Sequence, residues 1–194
     1  FAVASPLAQE GKSSTLSNLA VTMAQTDKRV LVVDSDLRKP RQHKIFKVPN
    51  VPGLSNHLAG AEDLAGVIKP TDVPNLYLLS AGTVPPNPIE LLATDKMRSL
   101  IKVLRGRFDY VLFDTPPLLA VTDGLVLGAM LDGLILVIWG EKTPKEALKQ
   151  AKQKLDMAKI KTLGVVINNL NIRKYDNYFG YQYHKYYGDR AERS

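Results

Sequence analysis

Three residues near the start of the chain, Gly11-Lys12-Ser13, have the types and order that hold a phosphate. A glycine lets the main chain approach a phosphate oxygen with no Cβ in the way. A lysine brings a point charge to β- and γ-phosphates, and a serine hydroxyl is a ligand for Mg²⁺. The usual form of such a loop has another glycine five places before Gly11, and here that place is Pro6. Carboxylates supply the second half of the chemistry. The stretch LVVDSD ends one apolar run with Asp34 and Asp36, and VLFDTPP ends another with Asp114. In a parallel sheet these strand ends share one edge with the loop after the first strand, where ligands bind. Singly, each acid would cap the helix that follows it. Together with the loop, the three describe a site for a metal-bound nucleotide.

The elements that must carry these residues are legible from hydrophobic periodicity. Continuous runs rich in Val, Ile and Leu recur at 1–5, 29–34, 110–114, 133–139 and 162–168, with a weaker one at 75–79. Unbroken hydrophobicity means burial on both faces, as in a parallel sheet covered by helices on each side. Between the runs lie helical stripes. Leu16, Leu19, Ala20, Met23 and Ala24 share a face over 13–26, and Met97, Leu100, Ile101 and Leu104 share one over 95–106. A third helix over 144–158 opens on Pro144 and carries Ala147, Leu148, Ala151 and Leu155. The alternation predicts an α/β fold, doubly wound, with a mostly parallel sheet and helices on both faces. Trp139, ending a strand, is expected in the core. Residues 171–194 break the pattern, so the chain divides into a folded domain over 1–170 and a flexible tail over 171–194.

Composition sets limits. The chain has 194 residues, 45% hydrophobic and 23% charged, enough for one sizeable domain. It has no cysteine, which excludes disulfides and thiolate metal sites. No run approaches the ~20 apolar residues that span a bilayer. Phe1 opens inside a strand with no initiator Met, so the sequence reads as a piece of a longer protein. The net charge is +7, and nine Lys or Arg face two acids between Lys142 and Lys174. A solvated helix face accounts for that stretch; binding of nucleic acid is the less expected reading.

Spaced matches carry a resemblance beyond the loop. LVVDSDLRKP, VPGLSNHLAG, VPNLYLLSAG, PPNPIELL and FDYVLFDTPPLLAVTDG, with the tyrosine-rich end, resemble the bacterial tyrosine kinases. These are the cytoplasmic kinase domains of capsule and exopolysaccharide chain-length regulators, related to P-loop NTPases of the deviant Walker type. The resemblance covers nearly the whole chain. Gln9 stands where many members have glycine, and no residue from Ser5 to Glu10 is the signature lysine of the partitioning ATPases. The resemblance implies ATP and Mg²⁺ as cofactors, bound by a loop over Gln9, Glu10, Gly11, Lys12, Ser13 and Ser14. Lys12 would sit on the phosphates, Ser14 at the α-phosphate, and Ser13, Asp34 and Asp114 on the metal, directly or through its waters. Asp36 is placed to accept the tyrosine proton. Arg38 belongs to the family pattern or to a structural ion pair. Asn168 faces the adenine edge or is a satisfied strand-end amide.

The tail is expected to be the substrate. Tyr175, Tyr178, Tyr181, Tyr183, Tyr186 and Tyr187 fall within thirteen residues, separated by Asp, Asn, Gly, Gln and His. If strand 162–168 runs parallel to strand 1–5, the tail leaves from the edge that holds the phosphate loop. The resemblance further implies phosphorylation in trans within a homo-oligomer, tail into neighbour. It implies a membrane-anchored activator region on the same or a separate chain, a cognate tyrosine phosphatase, no nucleic acid, and a place at the cytoplasmic face of the bacterial inner membrane. The alternative is a partitioning-type ATPase switch or scaffold that hydrolyses ATP without phosphorylating protein.

Overall fold

The computed structural model describes residues 1–170. The tyrosine cluster from Tyr175 to Tyr187, and the proposed 171–194 tail, lie outside the described residues. Seven strands form one sheet: β1 (Ala2–Ala4), β2 (Val30–Asp34), β3 (Ile68–Pro70), β4 (Leu76–Leu79), β5 (Tyr110–Asp114), β6 (Leu134–Trp139) and β7 (Thr162–Asn168). Their order across the sheet is β3-β4-β2-β5-β1-β6-β7, and every pairing is parallel except β3 with β4. The weak run at 75–79 is therefore a full member of the sheet. The antiparallel edge strand β3 was not foreseen; three residues ending in Pro70 carry no periodicity, and a proline suits an edge.

Both faces of the central strands are covered. On β2, Val30 and Val32 pack in one cluster with Leu16, Ala20 and Ala24 of α1 (Lys12–Ala24). Leu31 and Val33, pointing the other way, join the opposite cluster. That second layer contains α6 (Asp95–Arg107), through Met97, Leu100, Ile101 and Leu104, and α8 (Lys145–Met157), through Ala151 and Leu155. The α6 helix has conventional ends: Thr94 Oγ1 accepts from Met97 N at 3.2 Å, and Arg105 and Arg107 lie in the last turn. Shorter helices fill the connections: α2 (Gln42–Ile45), α3 (Leu54–Leu58), α4 (Leu64–Val67), α5 (Pro88–Leu92) and α7 (Asp123–Gly128).

Two expectations are corrected here. Strand β7 is not buried on both faces: Leu163, Val165 and Ile167 are 44%, 51% and 52% exposed. It is the last strand of the sheet, and α8 covers its neighbour β6 rather than β7. Trp139 is only half-buried, with Lys142 Nζ 4.5 Å from its ring centroid. Among the described residues no helix is long and apolar enough to cross a membrane.

The burial asymmetry gives a stability test. Leu112→Ala, at a position with no exposed surface, is expected to cost about 2–5 kcal/mol in denaturant unfolding. Val165→Ala on half-exposed β7 should cost under about 1 kcal/mol. Equal losses would mean that the outer face of β7 is covered in solution.

Candidate active site

The sheet topology brings the candidate residues to one edge. Strands β2, β5 and β1 are neighbours, and Asp34 pairs in register with Asp114 at their C-terminal ends. The loop after β1 closes over the same edge and turns into α1 at Gly11, whose φ of 87° lies in the left-handed region. Glycine suits that backbone conformation. A Cβ at Gly11 would also meet the side-chain amide of Asn168, at the end of β7, which would have to shift. Gln9 takes φ 65°, so the loop makes a left-handed turn two residues earlier with a residue less suited to it.

Lys12 is the hub. Its Nζ lies 3.3 Å from Asp36 Oδ2, 3.4 Å from Asp114 Oδ1 and 3.1 Å from Ser13 Oγ. The other oxygens are held as well. Asp36 Oδ1 accepts from Lys39 N at 3.0 Å, and Asp34 Oδ2 accepts from Arg41 N and Gln42 N at 3.0 and 2.9 Å. Asp34 Oδ1 is buried and has no hydrogen-bond partner. Burial, reinforced by the charge of Asp114, pushes the Asp34 carboxyl up to about 7.

Sequence reasoning overlooked Gln42. Fully buried, it donates from Nε2 to Asp114 Oδ2 at 2.7 Å and to the Ser13 carbonyl at 3.3 Å. Its Oε1 accepts from Ser17 Oγ at 2.8 Å. In the sequence it sits in a run of surface-like polar residues. The available signal was Ser17, a hydroxyl one helical turn after Ser13.

Three further residues settle into defined places. The Glu10 side chain turns inward, its Oε2 accepting from Leu7 N at 2.7 Å and its Oε1 bonded by Thr143 Oγ1. Its carboxylate is thus a strut of the loop. Asn168 Nδ2 donates to the Glu10 carbonyl at 3.1 Å, tying the end of β7 to the same loop. Arg38 forms an ion pair with Asp123, Nε–Oδ2 2.7 Å and Nη2–Oδ1 3.2 Å, which anchors the segment after Asp36 to α7.

Lys12, Ser13 and Asp36 open onto a cavity of about 810 Å³. Gln9, Gly11, Lys12, Ser13 and Ser14 line one side, Asp36, Lys39, Arg41 and Lys44 another. Among the described residues no cluster of three or more His, Cys, Asp or Glu is arranged as a preformed metal site. Mg²⁺ does not require one: it is commonly held by one or two carboxylates, waters and substrate phosphates. The donors present fit that chemistry, since Ser13, Asp34 and Asp114 offer only oxygen and Asp34 Oδ1 is an orphaned acceptor.

The raised Asp34 carboxyl sets a sign for pH. Between its ordinary value of 3.8 and about 7 the folded state holds the proton that the unfolded chain releases. Stability of the metal-free protein should therefore fall as pH rises through that window and stay at the lower level above it. Asp34→Asn is expected to flatten the decline by on the order of a few kcal/mol, read as melting temperature at pH 5.5 and 8. Parallel pH profiles for the two proteins would count against it.

Known proteins are similar to this chain in sequence and in fold. A family model described as an AAA domain matches residues 9–172. The putative tyrosine-protein kinase CapB of Staphylococcus aureus is 41% identical over 179 residues, 92% of this chain and 78% of that protein. The solved kinase domain of Escherichia coli tyrosine kinase ETK superposes with a TM-score of 0.84 at 35% identity, covering 87% of this chain and 66% of that one. The septum site-determining protein MinD of Pyrococcus horikoshii, complexed with Mg-ADP, gives 0.73 at 26% identity, over 86% of this chain and 68% of that one. With its phosphate loop, paired strand-end aspartates and seven-stranded sheet all in place, the chain belongs to the bacterial tyrosine-protein kinase family.

Proposed function

We propose that this domain transfers the γ-phosphoryl group of ATP, with Mg²⁺, to tyrosine hydroxyls of the 175–187 cluster on a neighbouring copy. The observation that carries the reading is the meeting of Lys12 with Asp36, Asp114 and Ser13 within 3.4 Å. The Gly11 turn and the first amides of α1 receive the phosphates, with Gln9, Glu10 and Ser14 contributing from the loop and its helix start. Asn168 orders that loop from the adenine side. Ser13, Asp34 and Asp114 would hold Mg²⁺, which neutralises charge on the β- and γ-phosphates when bound. Lys12 moves from the carboxylates to the phosphates, where its charge meets that of the equatorial oxygens in the loose transition state. That shift frees Asp36 Oδ2, while Lys39 N keeps the carboxylate in place through Oδ1. A tyrosine oxygen then forms a bond to the γ-phosphorus as the bond to the β-phosphate oxygen breaks. The phenolic proton passes to Asp36, and ADP leaves.

Strand direction supports delivery of the tail. β7 runs parallel to β6, and β6 to β1, so the chain reaches Leu170 on the edge that carries Gly11. The proposal extends to the setting that the sequence resemblance implies. The kinase assembles as a homo-oligomer beside a membrane-anchored activator region at the cytoplasmic face of the inner membrane. There it regulates polymerisation and export of capsule or exopolysaccharide, and a cognate phosphatase resets it. The likeness to MinD favours one second reading, a switch that hydrolyses ATP without modifying protein.

Incubation with Mg·ATP followed by mass spectrometry of residues 171–194 separates the two. Phosphotyrosine is the expected product, and hydrolysis with an unmodified tail would leave only the switch. Lys12→Met should lower autophosphorylation kcat/KM by on the order of 10³ or more. Asp36→Asn should lower it by about 10², since a base matters less in a loose transition state. Mild and equal losses in both variants would remove these roles.

A further inference from the structure

The open side of the cavity carries more positive charge than the phosphate loop accounts for. Lys39, Arg41 and Lys44 line it, all three exposed, and none of them is in an ion pair among the described residues. Their backbones are fixed to the site: Lys39 N holds Asp36, Arg41 N holds Asp34, and Lys44 follows one turn later, its N–H on the Arg41 carbonyl. Pro40 and Ile45 give the same wall an apolar part. The position of this lip matters. Lys12 contacts Asp36, whose other oxygen is held by Lys39 N, and the strand order sets β2, which leads into the lip, on one side of β1 and β7, which ends at Asn168, on the other. With Asp36 as the proposed acceptor of the tyrosine proton and Asn168 at the proposed adenine side, the lip flanks the acceptor.

We propose that Lys39, Arg41 and Lys44 read negative charge beside the acceptor tyrosine, so that a tail already carrying one phosphotyrosine is the preferred substrate. This rests on the reading of the domain as a tail-directed kinase and adds to it an order of events. Most successive tyrosines of the cluster are two or three residues apart, which spans roughly 7–11 Å in extended chain. A phosphotyrosine brings about −1.5 to −2 charges and three acceptor oxygens. The Arg41 fork suits them bidentately, and Lys39 and Lys44 act as point charges. Phosphorylation thereby accelerates itself along the cluster once the first phosphate is in place.

The test uses the full chain and two synthetic peptides of residues 175–188, one unmodified and one with phosphotyrosine at Tyr183. Incorporation into each is followed by mass spectrometry. The phosphopeptide is expected to show a kcat/KM about fivefold higher, the size of two or three partly exposed ion pairs. That advantage should vanish in the Arg41→Gln/Lys44→Gln variant and shrink at high salt. Equal kcat/KM for both peptides in the wild-type chain would overturn the proposal and leave the kinase reading standing. ATP hydrolysis with neither peptide modified would overturn both. A raised KM for ATP in the double variant, with the phosphopeptide advantage intact, would reassign the lip to the nucleotide and overturn the proposal alone.

Discussion

One ammonium group set among three carboxylates governs the site. Lys12 Nζ is within 3.4 Å of Asp36 and Asp114, while Asp34, beside Asp114 in register, has an oxygen with no partner at all. Buried carboxylates are costly unless paired and hydrogen-bonded. The fold answers with main-chain donors from Lys39, Arg41 and Gln42 and with the Gln42 amide. The compensation is incomplete, as the raised Asp34 carboxyl records. In the proposed reaction that residual imbalance suits a divalent cation arriving with a triphosphate. The same lysine that quiets the carboxylates in the free protein is then the group that turns to the phosphates.

The scaffold around this cluster works as a set of ties to one loop. The phosphate loop is held from within by the Glu10 carboxylate on Leu7 and Thr143, and from the side by Asn168. Thr143 belongs to the β6–α8 connection and Asn168 to the end of β7, so segments on either side of α8 meet the loop at one residue. On the other flank, Arg38 and Asp123 fasten the segment after Asp36 to α7. The pair joins a half-exposed guanidinium to a fully buried carboxylate, an arrangement in which the fork geometry of arginine fixes orientation as well as charge. Positions of Asp36 and of the basic lip both depend on it, because they share that segment.

Much of this was legible in the residues. Four apolar runs became central strands of the sheet because their alternate residues face two different helical layers, and continuous hydrophobicity is the mark of that burial. The helices over 13–26, 95–106 and 144–158 appeared within one or two residues of their expected limits, since amphipathic spacing and caps are local. The same rule misread β7. Its apolar composition equals that of a central strand, but composition holds no information about which strand is last. Gln42 and Glu10 were opaque for a related reason: a polar residue in a polar run shows neither its burial nor its partners, which come from elements 25 to 133 residues away.

The linear order of residues by itself determined the chemical inventory: a lysine-bearing turn, three acids at strand ends, a basic stretch between Lys142 and Lys174, and a tyrosine-rich end. These follow from side-chain type and short-range periodicity, which are properties of neighbours in the chain. Only the folded arrangement decided that Lys12 spends its charge on Asp36 and Asp114 and that Arg38 answers Asp123. It alone left one Asp34 oxygen without a partner and turned Lys39, Arg41 and Lys44 toward the cavity. Those outcomes depend on strand order and register across a sheet, where residues 24 to 102 apart come into contact. No local pattern encodes such distances, because they exist only once the strands have packed.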